Sequence, residues 1–199
     1  MMNEQNTHAA QAAHAMRPTH VITGMRTRFS YVSVWEPKSI NGGTPKYSIS
    51  LLIPKEDQET VARIRAAIEA AYKEGDVRLK GPGRSVPPLT AIRTPLRDGD
   101  TERPDDPAYA GCYFLNANSK QAPGIVDRSG MRIQDPSEFY SGCYGRASIS
   151  FYAYNSNGNC GIACSLNNLQ KLADGEPLSG RRSAEADFAG LPVEEDFLN

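Results

Sequence analysis

The stretch from Tyr144 to Leu166 constrains the fold more than any other part of the chain. Its first arm, Tyr144–Tyr154, alternates without a break. Gly145, Ala147, Ile149, Phe151 and Ala153 hold one parity, all small or apolar. Tyr144, Arg146, Ser148, Ser150, Tyr152 and Tyr154 hold the other. Side chains of a strand point alternately to opposite faces, so this arm requires a core on one side and solvent on the other. Asn155-Ser156-Asn157-Gly158-Asn159 reads as a turn, and Cys160–Leu166 returns as the second arm. A lone hairpin is marginal in water, so further strands must complete it. The small inward residues suit the interior of a narrow barrel.

The rest of the chain supplies those strands. Val21–Trp35 is strand-like, with Phe29, Tyr31 and Trp35 on one parity and Arg26, Arg28 and Ser30 on the other. Val32 and Val34 share the second parity, which a long, curved strand changing exposure along its length would explain. Asn41-Gly42-Gly43 is a turn signal. After it, Tyr47, Ile49, Leu51 and Ile53 alternate with Lys46, Ser48, Ser50 and Leu52 until Pro54 stops the strand. Cys112–Asn118 is a further strand, with a short pair at Gly124–Val126 and Met131–Ile133. Asn167–Ala173 is expected to add a helical turn.

One clear helix is expected over residues 55–74. Val61, Ile64, Ile68, Ala71 and Tyr72 form a single apolar face, and Gly75 is a natural stop. Glu56, Asp57 and Glu59 suit the positive end of its dipole. Such a helix would cap the barrel. Residues 76–110, rich in Pro and charge, read as a long excursion with at most a short strand at Leu89–Thr94; loops of that length are usually functional or mobile. The 17 glycines and 14 prolines favour this loop-rich β architecture over a helix bundle. A chain of 199 residues fits one domain.

The formal charge of −1 hides an asymmetry. Residues 1–16 carry only Glu4, and residues 183–199 carry five acids, Glu185, Asp187, Glu194, Glu195 and Asp196, with no Lys or Arg. Those six acids removed, 17 of the 23 remain against all 22 basic residues, so residues 17–182 are about +5. A basic body with an acidic end suits a polyanion-binding domain and a tail that competes for the same surface. No apolar run approaches the ~20 residues that span a bilayer, and the N-terminus lacks the pattern of a signal peptide. No membrane association and a cytoplasmic location are expected. Cys112, Cys143, Cys160 and Cys164 make no CxxC pair, and His8, His14 and His20 lie far from them. Reduced thiols are therefore expected, with no metal site and no cofactor.

Three tyrosines and an arginine on the solvent face of one strand have a physical use. Bases stack on aromatic faces while cations follow the phosphates, and every base has a π-face. Packing of the same tyrosines beneath the long loop is the alternative. The candidate nucleic-acid contacts are Tyr144, Arg146, Tyr152 and Tyr154, with Tyr113 and Trp35 as further aromatics. Arg26, Arg28, Lys46, Arg78, Lys80 and Arg84 are the candidate phosphate contacts, and Arg93 and Arg97 belong to the same basic set. Glu194, Glu195, Asp196 and Phe197 form an acidic-aromatic end suited to a basic, apolar pocket on a partner. Catalysis is not expected, since the body has no histidine after His20, no phosphate-binding loop and no nucleophile elbow. Asp98, Asp100, Asp105 and Asp106 raise a nuclease site as an alternative, although turn chemistry explains Asp in such a loop equally well.

Several stretches resemble a family of phage single-stranded DNA-binding proteins, formerly a domain of unknown function and related in fold to podophage replisome ssDNA-binding proteins. They include Phe29-Ser30-Tyr31 through Trp35-Glu36-Pro37-Lys38, Leu51-Leu52-Ile53-Pro54-Lys55, and Pro95-Leu96-Arg97-Asp98-Gly99-Asp100. They continue with Gly111 through Ala117, Phe139 through Arg146, and Gly161 through Gln170. The resemblance implies a mainly β, OB-fold-like five-stranded barrel with one capping helix and long loops. It implies sequence-independent ssDNA binding without catalysis, in phage DNA replication or recombination. The expected layout is a disordered N-terminal arm at 1–18, the OB domain at 19–176 and a flexible acidic tail at 177–199. Phage or host replication proteins are the expected partners of the tail, and a homodimer is an open option. A phage structural or assembly protein with an aromatic protein-binding surface is the competing reading.

Overall fold

A computed structural model describes residues 17–39, 42–80, 85–156 and 159–178. Eight strands form one sheet: β1 (His20–Ile22), β2 (Thr27–Lys38), β3 (Lys46–Pro54), β4 (Arg97–Asp98), β5 (Cys112–Ser119), β6 (Gly124–Val126), β7 (Tyr144–Ser156) and β8 (Asn159–Ala173). Five of them close on themselves. β2 pairs β3, β3 pairs β5, β5 meets β8, β8 pairs β7, and β7 returns to β2. All of these contacts are antiparallel except β5 with β8, which is parallel. This is the closed five-stranded ring of an OB-type barrel. The strands β1, β4 and β6 are short additions at its margins.

The alternation of the Tyr144 arm is realised in full. Ala147, Ile149, Phe151 and Ala153 are buried, whereas Tyr152 is exposed and Tyr144, Arg146 and Tyr154 are half-buried. They share the interior with Phe29, Val34, Leu51, Leu115 and Leu166. Gly145 lies against the Gln170 carbonyl and the Phe29 ring, leaving no room for a Cβ. In β2 the inward parity changes along the strand. Thr27 and Phe29 are buried before the irregularity between Ser30 and Ser33, and Val34 after it. A β-bulge has this effect, since one extra residue reverses the alternation beyond it.

The helix α1 (Gln58–Glu74) places Val61, Ile64, Ala67, Ile68 and Ala71 on the core. The Asp57 carboxylate accepts the Thr60 N–H at 3.1 Å as its cap, and the Gly75 N–H closes the other end on the Ala71 carbonyl. Two shorter helices follow, α2 (Asp76–Lys80) and α3 (Gly99–Glu102). The expected helical turn at Asn167–Ala173 is instead a continuation of β8. Ladders to both β7 and β6 hold it extended, and they outweigh its weak local preference. The short strand expected at Leu89–Thr94 is a single 3-10 turn, Leu89–Ala91, followed by one bridge from Arg93 to Gly161. Around Met131–Ile133, only Arg132 forms a bridge, to Val126.

The excursion after α2 folds onto the barrel. Tyr109 and Phe114 meet edge to face at 5.0 Å and cover Leu52, which lies on the outer side of β3. All four cysteines are free thiols; Cys143 and Cys164 are buried, Cys112 and Cys160 half-buried. Burial raises the Cys164 thiol far above its ordinary pKa. No described helix is long and apolar enough to cross a membrane.

Candidate nucleic-acid interface

The outer faces of β3 and β5 form the floor of a groove. Ser48 is paired with Asn118 and Ser50 with Asn116 across the two strands. Beyond Ser50 the floor ends at Tyr109, whose hydroxyl lies 3.1 Å from Ser50 Oγ. Two adjoining clefts open over this floor, one of about 720 Å³ and one of about 490 Å³, and they share Lys46, Asn116 and Asn118.

The larger cleft gathers Lys46, Arg93, Arg97, Tyr152 and Tyr154. Lys46 starts β3, and the two tyrosines come from the outer parity of β7. Arg93 and Arg97 come from the excursion, which is pinned at both points. The Arg93 carbonyl accepts the Ile162 N–H at 2.8 Å, and Arg97 is paired with Phe114 of β5. Residues 93–98 thus fill the seam where β5 and β8 diverge, since the ladder between those strands is limited to Asn118 and Ser165. Gly161 permits the close approach: a Cβ there would lie 2.5 Å from the Arg93 carbonyl oxygen and 3.0 Å from the Tyr154 hydroxyl. The Arg97 guanidinium sits 4.7 Å from the Phe114 ring centre and is hydrogen-bonded to Glu102, which raises its pKa further. Glu102 is the one carboxylate among the lining residues of the two clefts.

The smaller cleft lies against the β2 bulge and the β2–β3 turn. Tyr31, Lys38 and Arg103 line it, with Arg103 held 5.9 Å from the Tyr31 ring and 5.6 Å from the Tyr109 ring. Its position relative to the barrel has a precedent in the architecture. OB-type barrels bind oligonucleotides on the face of their second and third strands and at the loops joining strands one to two and four to five. In this barrel those are β3, β5, and the β2–β3 and β7–β8 connections.

Of the residues singled out from sequence, the groove brings together Lys46, Tyr152 and Tyr154, with Arg93 and Arg97 from the wider basic set. The others lie elsewhere. Tyr113 is on the inward parity of β5, between the cations of Lys55 and Arg65 at 5.2 and 5.5 Å. Trp35 donates its Nε1–H to the Phe139 carbonyl at 3.1 Å and packs on the core. Arg28 stands over the Tyr144 ring at 5.4 Å and donates to the Gly142 and Glu176 carbonyls, tying down the segment after β8. Arg26 pairs with Glu56 at 2.7 Å, in a separate cleft with Arg146, Arg63, Asp57 and Glu59. Arg78 reaches the Ala153 carbonyl from α2, and Lys80 ends that helix, exposed. Arg84, and the tail residues Glu194, Glu195, Asp196 and Phe197, lie outside the described residues.

Sequence reasoning did not single out Lys38, Arg103, Asn116 or Asn118, and it placed Tyr31 on the same face as the buried Phe29. The misplaced parity of Val32 and Val34 was the available signal of the bulge that turns Tyr31 outward.

Three of the four aspartates of the excursion, Asp98, Asp100 and Asp106, are occupied otherwise. Lys55 Nζ binds both Asp98 and Asp100 at 2.7 Å. Asp98 also caps α3, Asp100 accepts the Gly111 N–H, and Asp106 caps a 3-10 turn. Among the described residues no group of three His, Cys, Asp or Glu side chains is arranged to hold a metal ion.

Residues 19–198 match the family described as "Enterobacter phage Enc34, ssDNA-binding protein". The chain belongs to this family. A protein designated p50, from Acyrthosiphon pisum secondary endosymbiont phage 1, is 34% identical over 179 residues, 86% of this chain and 95% of that protein. Among solved structures, the C-terminally truncated single-stranded DNA-binding protein of bacteriophage Enc34 superposes with a TM-score of 0.66 at 25% identity, over 81% of this chain and 89% of that one. The Enc34 protein in complex with ssDNA gives 0.65 at 24% identity, covering 81% and 90%. The fold is shared further with gp2.5, a single-stranded DNA binding protein of bacteriophage T7, at 0.54 and 18% identity, covering 89% and 96%. The Enc34 family is thus a phage ssDNA-binding family on an OB-type barrel.

Proposed function

We propose that the chain binds single-stranded DNA in the groove over β3 and β5, without regard to sequence, and coats it during phage DNA replication and recombination. The observation that carries this reading is the convergence of Lys46, Arg93, Arg97, Tyr152 and Tyr154 on one continuous cleft of the barrel face that OB folds use for oligonucleotides. Bases stack on the two tyrosines, and the three cations meet phosphates. The family and the Enc34 complex with ssDNA support the ligand class.

In this reading residues 19–176 are the DNA-binding domain. The acidic tail, residues 177–199, competes with DNA for the groove and presents Glu194, Glu195, Asp196 and Phe197 to a replication protein. The chain acts by stoichiometric binding in the host cytoplasm and not by catalysis. The test is fluorescence anisotropy of a labelled oligo-dT, with the duplex of the same length as control, using the full chain and a version ending at Arg182. Preference for the single strand, and tighter binding without the tail, are the expected results. A folded chain that binds neither strand form would transfer the aromatic surface to protein assembly instead.

A further inference from the structure

The cleft at the β2 bulge carries features that sequence-blind coating does not require. Tyr31 is the one non-glycine residue among the described ones with a positive φ, at 46°. A bulky side chain in that left-handed region is strained, and such strain concentrates at ligand sites. Burial does not offset it, because Tyr31 remains 59% exposed. Its ring contact among the described residues is Arg103, which has no carboxylate partner there. Across the cleft, the side chains of Ser48, Asn116 and Asn118 make no side-chain hydrogen bond among the described residues. The bulge therefore holds an open aromatic face, an uncompensated guanidinium and three free polar groups around about 490 Å³, a volume ordinary for small-ligand sites.

A nucleotide offers a flat ring with a polar edge, joined through its sugar to an anionic phosphate. We propose that this cleft is a discrete nucleobase pocket. One base stacks on Tyr31, its edge meets Ser48, Asn116 or Asn118, and its phosphate meets Arg103. Side-chain amides are well matched to base edges, so this pocket adds a base-dependent contact to a groove that otherwise ignores sequence. The inference rests on the groove reading above and extends it to a second chamber.

The test is photo-crosslinking of the full chain to a 5-bromodeoxyuridine oligonucleotide, with the attached peptide identified by mass spectrometry. A cross-link at Tyr31 is expected. Tyr31→Phe keeps the ring and should bind as the wild type does. Tyr31→Gly suits the backbone, so it should melt no lower than wild type while binding on the order of 5- to 100-fold more weakly. The spread of affinities among oligo-dA, oligo-dC and oligo-dT should narrow in Tyr31→Gly and in Asn116→Ala/Asn118→Ala. Wild-type binding with cross-links confined to other tyrosines, and Tyr31→Gly binding unchanged, overturns the pocket and leaves the groove standing. Absence of any binding by the wild type overturns both.

Discussion

Tyr152 is 42% exposed on the outer parity of β7, with Tyr154 two residues further on. Neither anchors the core, so replacement by Ala should leave the melting temperature nearly unchanged. Each substitution should weaken oligo-dT binding by about 1–3 kcal/mol, read from anisotropy titrations. Equal affinity in both variants would remove these rings from the site. A second residue-scale prediction concerns Lys55. Its hydrogen bonds hold the Asp98 and Asp100 carboxyls below the ordinary range, and the Gly111 N–H adds to the effect at Asp100. Lowered carboxyl pKa values contribute stability that is complete above the unfolded value, about 3.9, and fades as pH falls through the lower folded values. Urea midpoints of the wild type should therefore drop below about pH 4, and those of Lys55→Met should drop less steeply over the same window. Parallel curves would deny the ion pair this role. These residue-level roles were poorly legible in the sequence. An Asp in a Pro-rich loop reads the same whether it caps a turn, pairs with a distant Lys or binds a metal. Only tertiary placement separates those outcomes.

At the scale of elements, legibility followed periodicity. The uninterrupted alternation of Tyr144–Tyr154 and the apolar stripe of α1 were readable because each reports one buried face. The direction in which Tyr31 points was legible only indirectly, since a bulge reverses parity and its one trace was the shared parity of Val32 and Val34 with Arg28. The excursion was equally opaque. Its segment 93–98 is extended because it bridges the gap between β5 and β8, a contact more than sixty residues away for Arg93 and Gly161. That bridge is also the element most exposed to test. In Gly161→Ala the new Cβ meets the Arg93 backbone at 2.5 Å, which a main-chain atom cannot easily relieve. The variant should keep its barrel, shown by an unchanged far-ultraviolet spectrum, and lose a measurable share of its oligo-dT affinity as Arg93 and Tyr154 are displaced. Full affinity would mean that the segment is not part of the groove.

For the whole molecule, charge asymmetry said that a basic body existed but not where its charge was useful. Basic residues are spread over several faces, and the fold sorts them by their neighbours. Arg26 is matched by Glu56, and Arg28 is committed to carbonyls of the chain after β8. Lys38, Lys46, Arg93, Arg97 and Arg103 share one surface with a single carboxylate. Binding of a single strand to that surface should release counterions, with a slope of log Kobs against log[salt] near −0.7 for each phosphate neutralised. The most direct test is this slope for oligo-dT, measured for the wild type, for Lys46→Gln/Arg93→Gln, and for Arg26→Gln/Arg146→Gln in the separate cleft beside α1. The groove variant should lose affinity and flatten the slope by about 1.4, while the second pair leaves both unchanged. An unchanged slope in the groove variant, with the loss appearing in Arg26→Gln/Arg146→Gln, would contradict the assignment of the DNA path to β3 and β5.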